Sequence, residues 1–150
     1  MITQPIVLKS LTVAGTGLSP WEHKTSSGLV LRGYETALTG KPIVHFIHGN
    51  GFNGLVYLPM LRYLLPHADL VITNAQGHGG SDAGTVFLGW DHNAAMIHEL
   101  LLHKRAQWGD VTVVGMGHSF GGILTTMLGA HPQPVFDRLL LLDPIYLPQT

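Results

Sequence analysis

Val111-Thr112-Val113-Val114-Gly115-Met116-Gly117-His118-Ser119-Phe120-Gly121-Gly122 is the stretch on which the fold turns. Its first four residues are apolar or β-branched and predict a short buried strand, Val111 to Val114. After the glycines, Ile123, Leu124, Met127 and Leu128 recur at helical spacing until His131-Pro132 stops them. A serine therefore sits between a strand and a helix, with glycine two places before it and two places after. A chain can reverse that sharply only where side chains are missing, so Gly117 and Gly121 are what the corner requires, and Gly122 is expected to let the helix approach the sheet. The corner pushes the Ser119 hydroxyl clear of the sheet and leaves the Phe120 N–H at a helix N-terminus, where it can donate to a developing oxyanion.

The same alternation extends on both sides of this corner. Pro42 to His48 reads as a nearly continuous buried strand ending in Gly49-Asn50-Gly51, and Leu70-Val71-Ile72-Thr73 reads as another. Between them Leu58, Leu61, Leu64 and Leu65 predict a helix from Leu55 to Leu65, stopped by Pro66. Asp91 is a candidate cap for a longer helix carrying Met96, Ile97, Leu100 and Leu101, closed near Gly109. Leu139 to Leu142 predicts a last strand. Toward the N-terminus, Ile6 to Val13 and Leu29 to Ala37 read as an antiparallel pair around the turn-rich segment from Gly15 to Gly28. Strands alternating with helices imply right-handed crossovers and an α/β fold whose mostly parallel sheet is covered by helices on both faces. No repeat, linker or shift in composition marks a domain boundary.

Three motifs, His48-Gly49-Asn50-Gly51-Phe52, Gln76-Gly77-His78-Gly79-Gly80-Ser81-Asp82 and Gly117-His118-Ser119-Phe120-Gly121-Gly122, occur in that order between the right elements. Together they resemble the α/β-hydrolase fold family, and more narrowly its esterase-like and haloperoxidase-like members, over roughly residues 29 to 147. The resemblance implies Ser119 as nucleophile and backbone N–H groups of Asn50 and Phe120 as the oxyanion hole, with Gly51 and Phe52 beside it as substrate-binding residues. Serine at the elbow, where some members carry aspartate, argues against haloalkane dehalogenase and epoxide hydrolase chemistry. The implied function is cleavage of an ester or related acyl bond through an acyl-enzyme on Ser119.

Composition narrows the partners. The 150 residues are 45% hydrophobic and 11% charged, with a formal net charge of −1, which offers no electrostatic footprint for nucleic acid or anionic lipid and points to a small-molecule acyl substrate. Without cysteine there is no thiolate metal site, disulfide or cysteine nucleophile, and no cofactor or metal is expected. No signal-peptide pattern or long apolar run is present, so a cytoplasmic protein is expected, with no membrane partner. His98 and His103, five apart on a helix, stand roughly 140° apart around it, where metal ligands need a spacing of four; they read as surface-helix residues. Gly115-Met116-Gly117 lacks the third glycine and the distal acid of a dinucleotide fingerprint.

Ten histidines leave the base unassigned. His48 reads as a buttress of the oxyanion loop, and His78 either as a structural residue in the turn from Gly77 to Asp82 or as part of the pocket lining. His118 is expected to point away from the serine, because neighbours on a sharp turn diverge. His131 is the only histidine after Ser119; 12 residues on, it lies about 18 Å along the helix. The family's order is serine, acid, histidine, so Asp143 reads either as the triad acid or as a turn-initiating Asp-Pro whose carboxylate caps local N–H groups, and Asp137 as a solvated surface residue. Phe52, Tyr57, Trp90 and Phe120 are candidates for a substrate pocket and as readily core. Residues 1–150 are thus expected to be the N-terminal portion of a single α/β-hydrolase domain, missing the last strands and the cap and inactive alone, with a C-terminal segment or a second chain completing the sheet. The alternative is a catalytically incomplete, hydrolase-like binding protein or subunit.

Overall fold

A computed structural model describes residues 15–145. Six strands form one sheet: β1 (Ser19–Lys24), β2 (Val30–Glu35), β3 (Ile43–Ile47), β4 (Asp69–Asn74), β5 (Val113–His118) and β6 (Arg138–Leu142). Their order across the sheet is β1-β2-β4-β3-β5-β6. The β1–β2 and β2–β4 pairs are antiparallel, and the other three pairs are parallel. The sequence reading of a mostly parallel sheet holds.

Period-two alternation divides the apolar residues between the two faces. On one face Ile43, Ile47, Val71 and Val113 pack against Met96, Ile97, Leu100 and Leu101 of α2 (Trp90–Trp108) and Phe120, Leu124 and Leu128 of α3 (Phe120–Gly129). On the other, Val44, Phe46, Leu70, Ile72 and Met116 meet Leu58 and Leu61 of the short α1 (Leu58–Leu61). Burial of whole Leu, Ile and Phe side chains, worth about 1.5 to 3 kcal/mol each, is what holds the layers together. Lys104 of α2 adds an anchor to the antiparallel end, pairing with Glu35 at 2.6 Å above the Trp21 ring.

Several boundaries differ from expectation. The segment Ile6 to Val13 lies outside the described residues, and the partner of β2 is β1, within the stretch taken as turn-rich; Trp21, His23 and Thr25 alternate inward there, and Pro20 is tolerated because β1 is an edge strand. The helix predicted over Leu55 to Leu65 is broken into a 3₁₀ turn (Gly54–Tyr57), α1 and a second 3₁₀ turn (Arg62–Leu64), with Pro59 in the first turn of α1. Asn53 rather than an interior residue sets its start, its side chain accepting from Leu55 and Val56. Asp91 does not cap α2. Gly89, at φ +91°, turns the chain into the helix, and Asp91 falls in the first turn, where its charge complements the helix dipole. Finally β5 begins at Val113 and runs through both glycines to His118, so the strand delivers the serine directly.

Candidate active site

Register places the site. Ile47 of β3 lies beside Gly117 of β5, and Gly117 beside Leu141 of β6, so the three strands finish at one edge of the sheet. The loop from His48, the corner at Ser119 and the turn at Asp143 emerge there side by side, where open α/β sheets gather their ligands.

Ser119 holds φ +52° and ψ −113°. Asp143 holds φ +45°, and these two are the positive-φ non-glycine residues among the described residues. Such backbone costs of order 1 to 3 kcal/mol and persists only where the surroundings enforce it. Here two bonds tie the serine corner to the residues on either side of the Asp143–Pro144 turn, Ser119 N–H donating to Leu142 O at 3.0 Å and Ile145 N–H to Ser119 O at 3.4 Å. The glycines allow the corner. A Cβ on Gly117 would strike the Gly121 carbonyl, and one on Gly121 would strike the carbonyls of Ile47 and His48. Gly121 thus makes the closer approach to the sheet, and Gly122 shares in it as expected, a Cβ there meeting Pro144 just after β6 and the Gly117 carbonyl of β5.

The loop after β3 accounts for its N–H groups one by one. Gly49 donates to the Tyr57 hydroxyl at 3.0 Å, Gly51 to His78 Nε2 at 3.1 Å, and Phe52 to Gly49 O at 3.2 Å. Among the described residues, the N–H groups of Asn50 and of Phe120, the latter at the start of α3, have no protein acceptor. Gly51, at φ +80°, shapes the loop and has its own donor committed.

Three histidines support this loop, and a fourth lies within the strand that leads to it. His48 is fully buried; its Nδ1–H donates to Gly49 O at 2.8 Å and its Nε2 accepts from Ala75 N–H at 3.0 Å. Burial holds its pKa down at about 4, so it stays neutral, the buttress anticipated. His78 has the same tautomer, with Nδ1–H on Gln76 O of its own turn at 2.9 Å, while its other nitrogen serves Gly51 in the loop after β3 and the residue lines the cavity beside the serine corner, so it has both of the places its sequence allowed. His118 hydrogen-bonds the Tyr57 hydroxyl at 2.6 Å through Nδ1. His45, within β3, bonds Thr73 Oγ1 at 2.7 Å and is driven by burial to a pKa of about 3.

A cavity of about 330 Å³ opens beside the serine corner, lined by Asn50, His78, Phe87, Trp90, Phe120 and Ile145. Trp90 meets Phe120 edge to face, with ring centres 5.3 Å apart. Of the aromatic candidates Trp90 and Phe120 line it, whereas Phe52 is half exposed and turns its edge to Tyr57, and Tyr57 anchors Gly49. Phe87 was not anticipated. It is carried by a loop that the buried Gln76 amide organises, donating to Ala83 O and Val86 O and accepting from Leu88 N–H and Asn93 Nδ2. An isolated glutamine before a glycine gives no sign of that role in sequence.

The remaining candidates are placed as follows. Among the described residues no side chain hydrogen-bonds the Ser119 hydroxyl, and the Asp143 carboxylate, exposed at the same edge, caps no N–H group. Asp137 is not merely solvated: it accepts from Val113 N–H at 2.7 Å and from Arg105, pinning the start of β5. His131 stacks on His98 at 3.6 Å. His98 is buried, bonding Gln133 O, contrary to its reading as a surface residue. Among the described residues no group of three or more His, Cys, Asp or Glu side chains could hold a metal ion, and no helix is long and apolar enough to cross a membrane.

Comparison with known proteins agrees with this geometry. A family model described as the alpha/beta hydrolase family matches residues 46–149. A type I acyl-CoA thioesterase of Penicillium brevicompactum is 33% identical over 110 residues, which cover 65% of this chain and 25% of that protein. Among solved structures, a hydrolase from Pseudomonas aeruginosa PA01 superimposes with a TM-score of 0.71 at 25% identity, covering 85% of this chain and 46% of that one. A haloalkane dehalogenase from Agrobacterium tumefaciens C58 superimposes with a TM-score of 0.70 at 18% identity, covering 85% and 42%. The chain thus spans about a quarter of the curated relatives' length and under half of these structural neighbours.

Proposed function

The chain belongs to the alpha/beta hydrolase family, and from that premise we propose that it is a serine hydrolase cleaving an ester or related acyl bond through an acyl-enzyme on Ser119. One observation carries the reading: a serine held at strained φ stands beside a cavity whose wall includes Asn50 and Phe120, and the N–H groups of these two residues, on either side of the serine corner, have no protein acceptor among the described residues. Ser119 Oγ attacks the acyl carbonyl as a base takes its proton, the Asn50 and Phe120 N–H groups stabilise the charge that builds on the carbonyl oxygen, the leaving group departs with that proton as the carbonyl re-forms, and water then cleaves the acyl-serine ester to release the acid and restore the hydroxyl. The apolar walls Phe87, Trp90 and Phe120 favour an uncharged acyl group. Likeness to an acyl-CoA thioesterase brings thioesters within the acyl bonds considered.

A serine hydroxyl needs a base to take its proton, and that base needs a carboxylate to orient it. Asp143 is the acid of this proposal, because it shares the strained edge with Ser119 and its carboxylate serves no N–H group among the described residues. None of the ten histidines meets Ser119, so the base is a histidine from outside these 150 residues, on a further segment or a second chain packed beside β6. The substrate is a small molecule, with no nucleic acid or membrane partner and no cofactor. The full-length protein should react with a fluorophosphonate probe at Ser119, and Ser119→Ala should abolish the labelling; equal labelling of the two would sink the reading. The unpartnered serine hydroxyl also favours a second reading, a hydrolase-like binding protein or subunit. Turnover of a p-nitrophenyl ester by the purified protein decides against it.

A further inference from the structure

Resting on Asn50 as an oxyanion donor, we propose that His78 is the positioning residue of that oxyanion hole: its unprotonated Nε2 holds the Gly51 N–H and thereby keeps the Asn50 N–H turned to the cavity.

The tautomer is forced from both ends. A carbonyl can only accept, so Nδ1 carries the proton given to Gln76 O; an amide can only donate, so Nε2 is the bare nitrogen that receives Gly51 N–H. Asn50 is then bracketed, with the N–H before it tied to Tyr57 and the N–H after it tied to His78. If the Gly51 bond is lost, nothing on that side fixes the peptide whose N–H must point at the oxyanion.

The post itself is rigid. His78 N–H donates to Ala75 O and His78 O accepts from Ser81 N–H, both at 3.0 Å, while Gly77 and Gly79 at φ +73° and +54° provide the turn. The imidazole also faces the Phe120 side chain, with ring centres 6.1 Å apart and 28° between planes. On its other side it meets His48, centres 4.8 Å apart. A residue serving only its own turn would find its partners inside that turn. Gly51 lies 27 residues away in sequence.

The test compares wild type, His78→Phe and His78→Gln in the full-length protein. Phenylalanine keeps a ring between His48 and Phe120 but has no acceptor, and glutamine restores an acceptor. Reaction with a fluorophosphonate probe is resolved into its limiting rate and its half-saturating concentration, and Gly51 amide exchange is followed by NMR. For His78→Phe the limiting rate should fall about ten- to hundredfold, the size of effect a misplaced donor produces, with half-saturation within about twofold. Its Gly51 amide should exchange at least about tenfold faster, and His78→Gln should recover most of both losses. If His78→Phe does not fold, His78→Leu is measured in its place. A limiting rate within about twofold of wild type in the acceptor-less variant overturns the positioning role while leaving Ser119 standing. Undiminished labelling of Ser119→Ala overturns the serine reading beneath it.

Discussion

At the scale of the residue, Ser119 is where residue type and local conformation conflict. Its φ of +52° suits glycine far better than serine, and the bonds to Leu142 and Ile145 hold it there. Ser119→Gly should therefore unfold about 1 kcal/mol higher than Ser119→Ala in chemical denaturation, although both lack the hydroxyl. If Ser119→Ala is as stable as Ser119→Gly, the corner is not strained. Gly117, Gly121 and the serine itself were legible because a tight corner between a strand and a helix admits few residue types. Asp143 was half legible: its place after an apolar run showed the edge, but the left-handed backbone it shares with the serine exists only once β6 is paired to β5. The separate duties of His48, His78 and His118 could not be read from spacing at all, since each is defined by the distant N–H or hydroxyl it meets.

At the scale of the element, the segment from Gln76 to Asn93 behaves as a unit built around one amide. Replacing Gln76 by leucine would leave the carbonyls of Ala83 and Val86, the Leu88 N–H and one Asn93 donor without their partner. We expect Gln76→Leu to cost about 3 kcal/mol, read by urea denaturation, and to raise amide exchange in residues 83–88, which carry Phe87. A variant as stable as wild type would show that water replaces the amide without loss. The parallel strands were readable as short apolar runs, and α2 and α3 as periodic ones. Their ends were not, because Gly115 and Gly117 look like a loop until the neighbouring strands pair with them, and a glycine at positive φ displaced Asp91 as the start of α2. Likewise the 3₁₀ turns flanking α1 keep the leucine spacing of a helix, so periodicity alone could not separate them.

At the scale of the whole molecule, burying neutral imidazoles sets the response to acid. The unfolded chain binds protons at His45 and His48 as pH falls below about 6.5, whereas the folded chain does so only near the depressed values of about 3 and about 4. Stability is therefore insensitive to these two groups well above pH ~6.5 and declines from there toward pH ~4 for His48 and pH ~3 for His45, each costing about 2 kcal/mol between pH 7 and pH 5. Urea midpoints at those two pH values test this; an unchanged midpoint would mean that the folded protein accepts the protons. The acid response belongs to the sheet as a body, because His45 is on β3 and His48 immediately follows it. The peptide of Ser119 has a different dependence on the whole. Its N–H is given to Leu142 of β6, a strand whose Leu139 and Leu140 remain 41% and 48% exposed. In the language of partial unfolding, the corner and the edge strand form one cooperative unit. An opening of β6 would remove the bond that holds the serine's strained backbone, so the stability of that strand sets the fraction of time the corner keeps its positive φ.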